Sequence, residues 1–256
     1  AVLEVESVDK VYGRGDNEVV ALGGVTLTVA DGEFAALVGP SGCGKTTLLN
    51  LIAGLDDVDG GRILVDGETL TPVERLHHFG YMPQQDMLFP WRTVLENVSL
   101  GLEVQGVGRS EARARAAEMF PQFGLGGFEH RRPHELSGGM RQRASFLRTY
   151  LLGRPFLLLD EPFGALDAIT RGQLQAWLAE TWNRIGGSAL LVTHDPHEAV
   201  ALSDRVFVMS SRPGRITNVL EVDLPRPRTT HAAETEAAHR LIDVLRHETE
   251  PEEALA

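Results

Sequence analysis

Gly39-Pro40-Ser41-Gly42-Cys43-Gly44-Lys45-Thr46 decides the fold. The stretch has the form G-x-x-x-x-G-K-[ST], and each residue type in it has a chemical reason. Glycines let backbone N–H groups curl around phosphate oxygens with no Cβ in the way. A following helix aims its N-terminus at the anion. Lys45 is placed to reach β- and γ-phosphates, and the Thr46 hydroxyl to ligate Mg²⁺. The flanks agree with this reading. Phe34 to Val38 is a short apolar run that stops at Gly39, as a buried strand does. Thr46 to Ala53 reads as the helix, with Gly54 as its C-cap.

Working outward, the first thirty residues read as β-strands. Val25, Leu27 and Val29 alternate with Thr26, Thr28 and Ala30, the pattern of a strand with one buried face. Arg62 to Val65 is a further strand, ended by the turn signal Asp66-Gly67. From about Thr93 to Gly153 the pattern becomes helical. Ser110 is predicted to cap a helix over Glu111 to Phe120, and Leu136 to Leu152 reads as a second helix. Strands and helices then alternate: Phe156–Leu159, a helix near Thr170–Ile185, Ala189–Val192, a helix near His197–Leu202, and Val206–Met209. Such alternation predicts an α/β core with a largely parallel sheet, and the helical stretch at 93–153 reads as an inserted subdomain. Pro213-Gly214 turns the chain into a short strand pair. The division expected is a main domain over residues 1–228, followed at 229–256 by a helix carrying Leu241, Val244 and Leu245 on one side and by an acidic tail.

Two more stretches carry chemistry. Leu136-Ser137-Gly138-Gly139-Met140 opens a helix, and a serine with two glycines at a helix start is a second anion-binding N-terminus. One phosphate loop has no need of a second cradle so far along the chain, whereas a second copy of the protein could bring it to the first copy's nucleotide. Phe156-Leu157-Leu158-Leu159-Asp160-Glu161 buries a strand and ends it on adjacent carboxylates. Neighbouring strand residues face opposite ways, so Asp160 is the candidate for the metal side and Glu161 for the general base or water-orienting group. His194 follows the run Ala189–Val192 and Thr193, at the carboxyl end of a strand where α/β sheets bind ligands, and is read as a γ-phosphate contact. His194 and His197 do not read as a metal pair, because Pro196 lies between them and no further ligand follows.

Composition narrows the class of protein. The chain has 256 residues, of which 43% are hydrophobic, which excludes a wholly disordered chain. Lys and Arg total 24 against 36 Asp and Glu, a net charge of −12 that argues against a nucleic-acid partner. The single cysteine excludes a disulfide framework or a cysteine-based metal site and fits a reducing, cytosolic setting. That cysteine, Cys43, lies inside the phosphate loop, at a helix N-terminus that tends to lower a thiol pKa. It reads first as a small residue that fits the loop and second as a redox-sensitive thiol. No apolar run approaches the ~20 residues that cross a bilayer, so the chain is read as soluble, which leaves docking on a membrane protein open.

Taken in order, these residues resemble the ATP-binding cassette family over nearly the whole chain. Gly39–Thr46, continued by Thr47, looks like the Walker A loop, Leu136–Met140 like the signature, and Leu157–Asp160 like Walker B with Glu161 as the catalytic glutamate. Ala165-Leu166-Asp167 looks like the D-loop and His194 like the switch histidine. Gln84, rather than Gln85, matches the Q-loop glutamine by its spacing to Pro90-Trp91, and Tyr12 matches the aromatic that stacks on adenine. Met140 stands where many members carry Gln.

The resemblance implies a P-loop NTPase core with an N-terminal antiparallel β subdomain and an inserted helical subdomain. It implies a homodimer with ATP and Mg²⁺ sandwiched between Walker A of one copy and the signature of the other. Glu161, His194, Gln84 and Lys45 would be catalytic, and Thr46, Gln84 and Asp160 would hold the metal. Ser137, Gly138, Gly139 and Asp167 would complete the nucleotide site. Integral membrane permease subunits, and indirectly a solute-binding protein, would be the partners, and nucleic acid would not. The chain would sit peripherally on the cytoplasmic face of the membrane. Leu88–Val98 and Ser211–Ile216 further resemble importers of nitrate, sulfonates and taurine. Pro90-Trp91 reads equally as a groove for a permease helix or as a core tryptophan. The alternative functions are an ABC-type ATPase of DNA repair, chromosome organisation or translation, and a small P-loop kinase or GTPase. The first would predict long coiled-coil insertions, zinc cysteines, a second cassette or basic patches, against the one cassette, one cysteine and net acidity of this chain, and the second has no evident use for a second phosphate cradle.

Overall fold

The structure, a computed structural model, describes residues 1–224, 228 and 231–249. The first part of the chain runs β1 (Leu3–Tyr12), β2 (Val19–Val29), β3 (Phe34–Val38), α1 (Lys45–Ala53), β4 (Gly60–Val65), β5 (Glu68–Thr69), α2 (Pro72–His78) and β6 (Phe79–Met82). A helical stretch follows: α3 (Val94–Val98), α4 (Leu100–Val104), α5 (Arg109–Met119) and α6 (Gly138–Tyr150). Strands and helices then alternate as β7 (Phe156–Asp160), α7 (Ala168–Ile185), β8 (Ser188–Thr193), α8 (Pro196–Leu202), β9 (Arg205–Met209), β10 (Ile216–Glu221) and α9 (His231–Thr249).

The strands form two sheets. The four-stranded one, in order β2-β1-β4-β5, is antiparallel throughout. The six-stranded one has the order β10-β9-β3-β8-β7-β6, parallel except for the β10 edge. The parallel strands are apolar on both faces because both faces are covered. Phe34, Ala36, Val38, Leu157, Leu159, Ala189 and Leu191 pack into one core with α6, α7, α8 and α9. Ala35, Leu37, Phe156, Leu158, Leu190 and Val192 pack into the other, with α1 and the antiparallel sheet. In the first core Phe34 meets Trp182 edge-on, with ring centroids 4.8 Å apart.

Several expectations change in detail. Ser110 does not cap a helix: α5 starts at Arg109, with Gly108 as the capping residue and the Gly108 carbonyl accepting from the Ala112 amide at 2.8 Å. That places Ser110 inside the first turn. The helix expected from Leu136 begins at Gly138, because Ser137 is its cap and accepts from the Met140 amide. Gly54 does cap α1, in a left-handed conformation. Asp66-Gly67 makes the turn between β4 and β5, with φ of 52° and 80°. The elements α2 and β6 were not anticipated. Pro72 at the first helical position and the reciprocal Thr71–Glu74 capping box start α2. The terminal helix carries Leu241 into the first core, with Val244 and Leu245 packed against it. The acidic tail at 250–256 lies outside the described residues.

Candidate functional site

Strands β6, β7, β8 and β3 are consecutive neighbours in the parallel sheet, and their carboxyl ends carry the candidate residues side by side. The loop after β3 turns into α1 at Gly44, whose φ is +109° and whose hypothetical Cβ would stand 2.7 Å from Leu22 Cδ2. Only glycine fits there. Lys45 is buried, and its ammonium donates to the carbonyls of Gly39 at 2.8 Å and Pro40 at 2.9 Å.

At the end of β7, Asp160 is buried and accepts from the Thr46 hydroxyl at 3.3 Å and the Tyr81 hydroxyl at 3.1 Å. Burial pushes its carboxyl above the ordinary range, and the two hydroxyls only partly offset this. Burial and the neighbouring Asp160 charge raise the Tyr81 phenol in turn. Glu161 has left the strand: its φ is 42°, and its amide donates to the Val192 carbonyl at 2.9 Å. The two carboxylates therefore separate by a left-handed turn, not by the simple alternation of a continuing strand. Glu161 Oε2 accepts from Gln84 Nε2 at 3.3 Å and meets His194 Nδ1 at 3.2 Å. With Glu161 as a carboxylate this contact needs the proton on Nδ1, so Nε2 can donate to an anion only when both ring nitrogens carry a proton.

A cleft of about 440 Å³ opens over the loop, lined by Tyr12, Ser41, Lys45, Thr47, Glu161 and Arg212 among others. Three residues here escaped the sequence reading. Arg212 donates to the Gly42 carbonyl at 2.9 Å, Asp56 accepts from the Tyr12 hydroxyl at 2.8 Å, and Tyr81 holds Asp160. Arg212 had a signal, in the Ser211–Ile216 stretch, but its place at the cleft did not. Cys43 is buried in the loop, and that burial, opposed by Lys45, pushes its thiol up. This runs against the lowering expected at a helix N-terminus, because desolvation of the thiolate outweighs the Lys45 charge and the backbone hydrogen bonds that favour it.

The second cradle lies on a different cleft. Gly138 packs so closely on Leu166 that a Cβ would stand 2.9 Å from Leu166 Cδ2. Asp167 caps α7, accepting from the amides of Ile169 and Thr170 at 3.1 Å each. Ser137, Gly138, Gly139 and Asp167 do not line the Lys45 cleft. Gly138 instead lines a second cleft of about 400 Å³ with Gln84, Asp86, Arg141 and Leu166. Beside it, Met87 and Trp91 are 60% and 66% exposed, which rules out a core role for the tryptophan. The Phe89 and Trp91 rings lie 5.1 Å apart. Among the described residues no helix is long and apolar enough to cross a membrane.

A family model described as "ABC transporter" matches residues 22–164. An uncharacterized ABC transporter ATP-binding protein of Methanocaldococcus jannaschii is 43% identical over 249 residues, covering 96% of this chain and 92% of that protein. A taurine import ATP-binding protein of Burkholderia pseudomallei is 42% identical over 228 residues, covering 88% and 86%. A formylaminopyrimidine import ATP-binding protein of Halalkalibacterium halodurans is 43% identical over 224 residues, covering 88% and 85%. Among solved structures, a dimeric ATP-binding cassette in a post-hydrolysis state with ADP and Pi superposes with a TM-score of 0.75 at 31% identity, over 87% of this chain and all of that one.

Proposed function

This chain belongs to the ABC transporter family and is an ATPase of that family, and we propose that it energises import of a small solute, of the nitrate, sulfonate or taurine type, through a separate membrane permease. The observation that carries the reading is the convergence of Lys45, Thr46, Gln84, Asp160, Glu161 and His194 on one sheet edge, while the second cradle stays out of the Lys45 cleft and opens on a neighbouring one that Gln84 also lines. A site so divided is completed by a second copy.

In this reading the loop amides and Lys45 hold the β- and γ-phosphates, and the α1 N-terminus faces them. Tyr12 stacks on the base, with Ser41, Cys43 and Thr47 around the phosphate chain. Thr46, Gln84 and Asp160 would hold Mg²⁺, which when bound neutralises phosphate charge. The fit is supported by hard oxygen donors and by an Asp160 whose burial leaves its charge undercompensated. Among the described residues no three His, Cys, Asp or Glu side chains are grouped so as to hold a metal ion by themselves, and a cation shared with phosphate oxygens needs no such cage. Glu161 polarises the attacking water, Gln84 orients that carboxylate, and His194 contacts the γ-phosphate. Ser137, Gly138, Gly139 and Asp167 come from the second copy.

We further propose that residues 1–228 form the nucleotide-binding domain, with the helical stretch 93–153 as its inserted subdomain, and that Met87, Phe89 and Trp91 receive a permease helix at the cytoplasmic face of the membrane. A solute-binding protein then acts indirectly. The relatives' names differ in solute, so the decisive experiment is purification of the intact complex from its native membrane, with mass spectrometry of the ligand on its solute-binding protein. A nitrate-, sulfonate- or taurine-like ligand supports the solute class. A complex with no permease, or one that exports, refutes the import reading.

A further inference from the structure

We infer that Asp56, together with Lys10, is a positioning residue for base recognition, holding the Tyr12 ring at the height at which a purine stacks. This rests on the reading of Tyr12 as the base-stacking residue. Tyr12 ends β1 and is 41% exposed, a place where a tyrosine ordinarily samples more than one rotamer. Its hydroxyl is tied down, donating to Asp56 Oδ2 at 2.8 Å. Lys10, two residues back on the same face of β1, donates to Oδ1 of the same carboxylate at 3.0 Å and to the Asp57 carbonyl at 2.7 Å. Its ammonium lies over the Tyr12 ring, 5.2 Å from the centroid. That cation occupies one face of the ring, so a base stacks on the other.

Asp56 is itself fixed. It lies just past Gly54, which ends α1, and its carboxylate also accepts from the Asp57 amide at 2.8 Å. Its carbonyl accepts from the guanidinium of the buried Arg75 at 3.4 Å. Against its burial, the bonds from Lys10, Tyr12 and the Asp57 amide hold the Asp56 carboxyl below the usual range. The helix that starts at the phosphate-binding Lys45 thus ends just before the residue that sets the base contact. With nine residues it spans roughly 13 Å. Phosphate and base contacts are referred to one rigid rod, and the ring is ordered before nucleotide arrives.

The test compares ATP with inorganic tripolyphosphate, which has no base, as competitors for the cleft of the full-length chain. Asp56→Asn should weaken ATP roughly three- to ten-fold, the worth of one hydrogen bond, leave tripolyphosphate unchanged and raise KM without lowering kcat. Tyr12→Phe, which removes only the hydroxyl, should reproduce this, and the double variant should add nothing to either single one. Tyr12→Ala is the control for the underlying reading. If it leaves the ratio of the two affinities unchanged, Tyr12 does not stack on the base and the inference falls with it. If Tyr12→Ala lowers the ratio and neither Asp56→Asn nor Tyr12→Phe does, Tyr12 stacks but Asp56 does not position it. Equal weakening of both ligands by Asp56→Asn reports a general defect of the fold and likewise overturns the inference.

Discussion

Tyr81→Phe tests how the buried carboxylate at the end of β7 is governed. The substitution removes one atom, the hydroxyl that donates to Asp160 Oδ2 at 3.1 Å, and keeps the ring in place beside β7. A hydrogen bond to a charged group contributes about 1.5–3 kcal/mol, and here that contribution falls on the ionised form of Asp160. Tyr81 is only half-buried, so water can replace part of the bond, and about 1.4 kcal/mol is a reasonable loss. That corresponds to a rise of about one pH unit in the Asp160 titration. Burial already holds Asp160 above the ordinary carboxylate range, so the variant moves it further toward neutrality. The ionised carboxylate is the form proposed to hold Mg²⁺. The acidic limb of the kcat/KM profile for MgATP should therefore shift up by about one pH unit, with little change on the alkaline side. Stability follows with a definite sign. A raised native-state pKa makes Asp160 contribute favourably at low pH, and that contribution is lost as pH rises through the native value. The variant should match the parent closely at acid pH and fall behind it by about 1.4 kcal/mol near neutrality, read by denaturant titration. An unmoved acidic limb together with a pH-independent stability difference would refute the reasoning.

Glu161→Gln should keep MgATP binding, lose roughly 10²–10⁴-fold in hydrolysis and elute as an ATP-stabilised dimer; undiminished turnover removes Glu161 from its role. Ser137→Arg costs the α6 cap about 1 kcal/mol, yet it should leave nucleotide binding nearly intact and abolish turnover. Mixing it with a Lys45→Ala chain should restore activity, because one composite site is then intact; no recovery by coupled ATPase assay counts against the shared site. Phe34→Ala empties a fully buried position that meets Trp182 edge-on at 4.8 Å. It should cost about 3–5 kcal/mol by denaturant titration; a loss under about 1 kcal/mol would mean that the first core is not packed as described.

Loops whose chemistry demands fixed residue types at contiguous positions are legible in the sequence. Gly39–Thr46 and Leu136–Met140 are of this kind, and so is the apolar strand ending at Asp160. Asp56, Tyr81 and Arg212 were not legible, because each matters through a partner distant in the chain. Tyr12 and Asp56 meet only because the segment after α1 lies beside β1, and Tyr81 meets Asp160 only because β6 is the neighbour of β7. The strand β6 is too short to announce itself, and its apolar residues follow directly on the polar helix α2. The Thr71-Pro72-Val73-Glu74 capping box was a readable start signal for α2. The left-handed turn at Glu161 had no local signal, since glutamate has no preference for that conformation.

The pairing of β7 with β8 sets Leu157 opposite Ala189 and Asp160 opposite Val192. A slip of one residue would move Asp160 by about 3.3 Å and send it to the other side of the sheet. The same slip would exchange Leu157 and Leu159 with Phe156 and Leu158 between two filled cores. The position of the carboxylate and the filling of both cores thus depend on one register. A register error would therefore lose the metal-side carboxylate and the packing of both faces together, so such a chain should be destabilised as well as inactive.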